Sequence, residues 1–383
     1  MDDELKSSVS EFSYKSKSLD ELLAILNFSD KQAFIEFYKY DEIDVVHRLS
    51  PTAIGCLSAI FCLIFIVGLT GNLFLIVLVI CKRNMQTVIN IFNVSLAFAD
   101  LLITLFCIPF TLVEQVTEDW VLGRFMCKIL NYITTVSVIC SVLTMTAIAV
   151  ERHSAICHPL RSKVIQTPRR AIICSIVIWC FTLMLNMPLF VLIDIAFFKH
   201  PFQDITYEFC EWKNGEQEKR VSLCYVILLY FVPLLFVCFL YIRIVRKLWI
   251  RNAVAPANII QSRVDIMRNS NIYKKKRATK MLMLVVLLYA MCWLPYHVFI
   301  LMRDFKSSGL EDTEKNRFLM ALFQLLGLTN SCNNPVIYGF MNDKFKTNIA
   351  ALVKGKPKLK PSSTGKKTPF QKATPVGFVV TSL

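Results

Sequence analysis

The sequence predicts an all-α membrane protein: a bundle of seven transmembrane helices followed by a short amphipathic eighth helix. Two observations lead there. Of 383 residues, 55% are hydrophobic and 19% charged, too little charge to cover the surface of a soluble domain this large. The charges are also segregated into residues 1–50, a few short loops and the last forty residues. Long apolar runs separate them.

Seven runs are long enough to cross a bilayer, at about 20 residues or more each. They cover approximately 53–81, 88–112, 124–157, 171–195, 221–248, 276–303 and 316–340. The third and fifth carry polar residues at spacings that suit a bundle interior. After the seventh, Phe340, Phe345, Ile349 and Leu352 recur at helical spacing with Lys344, Lys346 and Lys354 among them, the pattern of a helix lying flat on the membrane. Three regions follow: an N-terminal segment (1–50), the bundle (51–341), and the eighth helix with a Lys-, Pro-, Ser- and Thr-rich tail expected to be disordered (342–383).

Net charge is +15, yet the basic residues flank apolar runs instead of forming a stripe on a soluble fold, so nucleic acid is not the expected partner. Lys82 and Arg83, Arg161 to Arg170, Arg246 to Lys280 and the tail form one basic set of loops; the other set and the N-terminal segment are acidic. The positive-inside rule puts the N-terminus outside and the C-terminus in the cytoplasm, as expected at the plasma membrane. The first apolar run starts near residue 51, so the first helix is expected to serve as its own signal-anchor. Asn27-Phe-Ser29 is a candidate glycosylation site on the outer side, whereas Asn93-Val-Ser95 has the same pattern inside a span and is rejected. Of 14 cysteines, only Cys127 and Cys210 fall on the outer side, and they read as one disulfide.

An ionisable group inside a bilayer is costly and marks a candidate site. Asp100 sits mid-span in the second helix, with Asn72, Ser141, Asn330 and Asn334 at similar depth. A carboxylate among hydroxyls and amides suits a sodium ion, or takes up a proton; the plainer alternative is a hydrogen-bonded clamp between helices. No other cofactor is expected. Glu151-Arg152-His153 ends the third helix, where a guanidinium paired with its neighbouring carboxylate in one state and released in another makes a bistable switch. Pro295 follows Trp293 in the sixth helix and Pro335 follows Asn334 in the seventh, while Pro109, Pro188 and Pro233 interrupt three other spans. A transporter or channel would need a polar pathway or inverted repeats, and neither is visible. No HExxH, GxSxG, P-loop or paired-carboxylate pattern points to an enzyme.

Asn72, Leu96 to Asp100, Glu151-Arg152-His153, Trp179, Pro233 with Tyr241, Cys292-Trp293-Leu-Pro295 and Asn334-Pro335 to Tyr338 supply a landmark on every helix, in order. As a set they resemble the signature of class A G-protein-coupled receptors, over roughly residues 50–350. Trp120-Val-Leu-Gly123 before Cys127 resembles that family's first extracellular loop and disulfide. The resemblance implies that Arg152 and Tyr338, with Tyr241, rearrange on activation, that Trp293 senses the ligand, and that Asp100 with Ser141 holds sodium. It also implies a heterotrimeric G protein as partner, with Leu160 an apolar contact for it, and arrestin and receptor kinases acting on the tail at Ser362, Ser363, Thr364, Thr368 and Thr374. Thr381-Ser-Leu383 is a candidate PDZ-binding end. Lys275 stands where some members carry the acid that locks the third-helix arginine, and Tyr289 stands where the family usually has Phe.

The seventh span lacks a lysine for retinal, and Thr134 stands where amine receptors carry an acid. Glu114 and Asp304, at the outer ends of the second and sixth helices, favour a cationic ligand, arginine above all. Segments such as Ile103 to Pro109 and Asn27 to Tyr38 are similar to receptors for pyroglutamylated RFamide peptides. That likeness implies an amidated neuropeptide ending in Arg-Phe, its arginine on Asp304 and Glu114 and its amide near Thr111, Thr134 and Gln324. Receptors it resembles carry Gln where Thr134 stands. Receptors of the neuropeptide FF, neuropeptide Y and orexin types are the alternative.

Overall fold

The computed structural model describes residues 50–117, 119–199, 206–253, 263–305, 314–341 and 345–347. The chain divides into two units, Met1–Asn342 and Asp343–Leu383. In the second, residues 345–347 form a helical turn; the rest of the expected eighth helix lies outside the described residues. So do Asn27, the Ser/Thr positions of the tail and residues 381–383, as does the side chain of Lys275.

In hydrocarbon every backbone N–H and C=O must find its partner within the segment, which leaves the helix as the default for each apolar run. The first span is α1 (Pro51–Cys81). The second is α2 (Val88–Leu102), continued by α3 (Ile108–Thr117). The third is α4 (Gly123–Cys157), followed by the short α5 (Pro159–Ile165). The fourth is α6 (Pro168–Asn186), with α7 (Leu189–Leu192) beyond a turn at Pro188. The fifth is α8 (Gly215–Tyr225) with α9 (Val232–Ala253), and the sixth is α10 (Arg263–Phe305). Among the described residues, six helical stretches are long and apolar enough to cross a membrane. The seventh span is broken at Thr329 into α11 (Glu314–Leu328) and α12 (Asn330–Met341). This is a multi-pass membrane protein.

Side-chain oxygens start several helices. Ser50 accepts from the Ala53 amide with Pro51 following, Thr87 from Asn90, Thr167 from Arg170 with Pro168 following, and Asn214 from Glu216 and Gln217; each satisfies a donor that the first helical turn leaves open. Two of the sequence's prolines act less bluntly than as kinks. Pro109 and Pro233 each follow a π-helical stretch, Ile103–Cys107 and Val226–Phe231. A proline ring lacks the N–H and crowds the carbonyl four residues back, and a widened turn relieves both problems without ending the helix.

One departure from the sequence reading is a β-hairpin. The fourth span ends at Leu192, not 195, and β1 (Ile193–Lys199) pairs antiparallel with β2 (Thr206–Trp212), Ile195 opposite Cys210. The apolar run through Ile193 and Ile195 resembled more helix, but its branched residues suit a pleated ribbon, and the partner strand meets the backbone groups.

The bundle core follows the spans' contacts. Leu57, Phe61 and Ile64 of the first span pack with Ile103 and Ile108 of the second and Leu325 of the seventh. Lower down the first and seventh spans approach closely: a Cβ added at Gly71 would lie 2.6 Å from Pro335 Cβ, so only glycine fits. Of those six stretches the third span is the most buried and the fourth the least, with Ile172, Ile173, Ile176 and Met184 of the fourth exposed, as expected of a face turned to lipid.

Candidate functional site

At the hairpin end of the bundle, the Cys127–Cys210 disulfide ties β2 to the start of the third span. Other contacts fix the same ribbon. The Trp120 amide donates to the Glu208 carbonyl at 2.8 Å, and the Glu208 amide donates to Asp119 Oδ1 at 2.7 Å. On β1, Asp194 accepts from the Arg124 guanidinium, through Nη2 at 2.6 Å, and Lys213 and Lys128 stand 3.2 and 3.6 Å from its Oδ2. The hydrogen bonds from Arg124 hold the Asp194 carboxyl well below the usual carboxylate range, with the Ile195 amide and Lys213 adding to the effect.

Beside this ribbon lies an acidic vestibule. Glu114 from the second span, Glu218 from the fifth and Asp304 from the sixth all act electrostatically on half-buried Tyr296, together with Arg303. Arg303 Nη2 reaches Glu218 Oε1 at 2.7 Å and Asp304 Oδ1 at 3.1 Å, and Arg303 Nε reaches the same Asp304 oxygen at 3.2 Å. Asp304 Oδ2 is buried with no hydrogen-bond partner, and Glu114 has no ion-pair partner among the described residues. Two carboxylates thus share one guanidinium, and a third, Glu114, acts on the same tyrosine without a cation of its own among the described residues, an excess of acidic groups where a cation would be stabilised. Glu218 and Arg303 were not singled out from the sequence. Asn214-Gly-Glu-Gln-Glu218 reads there as a capped helix start, and nothing local signals the contact from residue 218 to residue 303.

Deeper, the floor is aromatic. His297 stacks on Trp293 with ring centroids 5.9 Å apart and lies 4.6 Å from Tyr230, whose hydroxyl donates to the Ala290 carbonyl at 2.6 Å. Trp293 sits against Gly327 of the seventh span, where an added Cβ would come within 3.0 Å of the indole. Thr111 and Gln324 are half-buried. The Thr134 hydroxyl donates to the Leu130 carbonyl at 2.7 Å and lies 2.9 Å from Cys107 Sγ, so its proton is committed to its own helix.

Midway down, Asp100 is fully buried and its Oδ2 accepts from Asn334 Nδ2 at 2.7 Å. Asn72 Nδ2 donates to the Gly68 and Ser331 carbonyls at 2.9 and 2.8 Å, clamping the first span to the seventh. Around them Asp100 Oδ1, Ser137 Oγ, Ser141 Oγ, Ser331 Oγ, Asn334 Oδ1 and Asn72 Oδ1 are buried without hydrogen-bond partners, and Asn330 is buried alongside. So many unsatisfied buried oxygens are unusual, and a carboxylate among neutral oxygens is a donor set suited to a small hard cation.

At the opposite end, Arg152 makes no ion pair with Glu151 among the described residues; its Nε and the Glu151 Oε2 are both buried and unpartnered. Arg152 instead interacts electrostatically with Tyr241 and Tyr338. The Tyr338 hydroxyl donates to Asn93 Oδ1 at 2.8 Å, and both tyrosines line a small cavity with Leu96, Met145 and Val285. Leu160, on α5, is 84% exposed, free to meet a partner.

The chain thus has a seven-span bundle with a hairpin at one end, a buried polar centre and a Glu-Arg-His motif at the other end, and residues 71–338 match the model of the 7 transmembrane receptor (rhodopsin family). The chain belongs to that family. It is 35% identical over 345 residues to the QRFP-like peptide receptor of Branchiostoma floridae, covering 88% of this chain and 87% of that protein. It is 33% identical over 336 residues to the Pyroglutamylated RF-amide peptide receptor of Rattus norvegicus, covering 87% of this chain and 77% of the relative.

Proposed function

We propose that the protein is a plasma-membrane receptor for an amidated neuropeptide ending in Arg-Phe, with its hairpin end extracellular and its Arg152 end facing a cytoplasmic G protein. The observation that carries this is the vestibule, where Glu114, Glu218 and Asp304 converge around Tyr296 with Arg303 their one cation among the described residues. An incoming guanidinium would complete that charge balance, with the following aromatic ring directed to the floor of Trp293, Tyr230 and His297. The names of the two relatives, a QRFP-like peptide receptor and a Pyroglutamylated RF-amide peptide receptor, support the same reading.

Glu114 and Asp304 bind the peptide arginine, and Thr111 and Gln324 flank the amide. Trp293 registers occupancy of the floor. Asp100 and Ser141, with Asn334, Asn330 and Asn72 around them, hold a sodium ion that would supply the positive charge the buried carboxylate lacks. Arg152, Tyr241 and Tyr338 shape the cleft that takes a G-protein helix, against which Leu160 packs. Receptor kinases and arrestin act on the tail, and residues 381–383 are a candidate PDZ ligand.

The test is to express the chain in cells and record calcium and cyclic-AMP responses to amidated peptides ending in Arg-Phe, beside their free-acid forms. Responses to the amides alone are expected. Silence at verified surface expression overturns the ligand assignment and leaves the family standing.

A further inference from the structure

We infer that Arg303 is a built-in competitor for the ligand's arginine and sets how strongly the vestibule discriminates a cationic peptide; the inference rests on the function proposed above. Arg303 occupies the two carboxylates that face it, yet its pairing with Asp304 is one-sided. Its Nη2 is shared between Glu218 Oε1 at 2.7 Å and Asp304 Oδ1 at 3.1 Å, and Nε, at 3.2 Å, goes to that same Asp304 oxygen. The second Asp304 oxygen is buried with no partner.

The reason is helical geometry. Residues at i and i+1 point to different sides of a helix, so Arg303 reaches its neighbour's carboxylate edge-on and cannot offer the two parallel N–H donors of a fork-to-fork pair. Its side chain is 37% exposed whereas that of Asp304 is 4% exposed, so the guanidinium has water to move into and the carboxylate does not. A guanidinium arriving from the vestibule has neither constraint: it can face both Asp304 oxygens and satisfy the orphan. Ligand binding is then an exchange of one guanidinium for another, and its net gain is the difference between a bidentate pair and the strained internal one. A ligand without a guanidinium cannot complete the exchange and meets a site whose charge Arg303 already offsets. Arg303 thus lowers the affinity for every ligand that needs these acids and leaves neutral ligands largely unaffected.

The experiment measures concentration–response curves for wild type, Arg303→Ala, Arg303→Gln and Arg303→Lys at matched surface levels. Two peptides are used: an amidated Arg-Phe peptide and its citrulline analogue, which keeps the shape and loses the charge. Removing the competitor in the Ala and Gln variants is expected to raise the potency of the arginine peptide by roughly three- to tenfold. The citrulline peptide should shift by less than about twofold, and Arg303→Lys should stay near wild type. A loss of potency in the Ala and Gln variants would make Arg303 a ligand contact and overturn the inference. An equal gain for both peptides would mean a wider pocket and overturn it too, as would no shift in either. If wild type ignores every amidated Arg-Phe peptide, the functional reading fails and this inference falls with it; a responsive wild type with unshifted variants rejects the inference alone.

Discussion

Asp304 Oδ2 is the atom on which the vestibule's chemistry turns. It is buried and unpartnered, and such an oxygen is costly unless something arrives to satisfy it. Asp304→Ala is expected to weaken an Arg-Phe-amide peptide by about 1.5–3 kcal/mol, roughly ten- to a hundredfold, in competition binding. Unchanged affinity would place the arginine's partner elsewhere. Legibility in the sequence follows the cost of each residue. Asp100 stood out because a carboxylate inside a bilayer demands an explanation. Glu114 and Asp304 stood out because they end apolar runs. Arg303 did not, because a basic residue at a helix end reads as an interfacial anchor, and its bond to Glu218, 85 positions away, leaves no local pattern.

Helices were legible as elements because a bilayer forces each apolar run into the same solution, and the first, second and fourth spans, each preceded by a capping side chain, start within three residues of the expected positions. The hairpin was not, since Ile193, Ile195 and Phe197 extend an apolar run and the partner strand starts only at Thr206. Its attachment yields a test by pH. Asp194 has a folded-state pKa below the ordinary carboxylate value of about 3.9. Its contribution to holding the ribbon is therefore complete above that ordinary value and lost only as pH falls through the depressed one. Hydrogen exchange over β1 and β2, corrected for intrinsic rates, should be the same at pH 7 and pH 5, and Asp194→Asn should raise it at both. Protection lost between pH 7 and pH 5 in the wild type would mean that another group holds the ribbon. A second element-level test concerns the first and seventh spans: Gly71→Ala drives a methyl to 2.6 Å from Pro335, an overpacking of about 1–3 kcal/mol. A lowered melting temperature in detergent is expected, and an unchanged one would show that the spans separate without strain.

For the whole molecule, the polar centre couples spans that are far apart in sequence: Asn334 to Asp100, Asn72 to Ser331, Trp179 Nε1 to Ser95 at 3.0 Å. The sequence placed Asp100, Asn72 and Asn334 at one depth but left a clamp and a cation site as alternatives, and the bonds together with the unpartnered oxygens accommodate both. If sodium binds there, thermal stability of the purified receptor should rise with sodium relative to an equal concentration of a bulky organic cation. Asp100→Asn should abolish that difference, and a sodium effect surviving the substitution would move the ion elsewhere.

The Asn72 clamp makes a lever of the seventh span. Its amide grips the Ser331 carbonyl from a helix that is itself wedged at Gly71 against Pro335, so the span has a fulcrum within α12 and its lower arm is short. Tyr338 lies seven positions beyond Ser331, about 10 Å along a helix. A tilt of about ten degrees about that point would swing the tyrosine by roughly 2 Å, enough to exchange its bond to Asn93 for a new partner. The upper arm, α11, is joined to α12 through the break at Thr329, so a tilt of the lower arm need not carry the upper one with it.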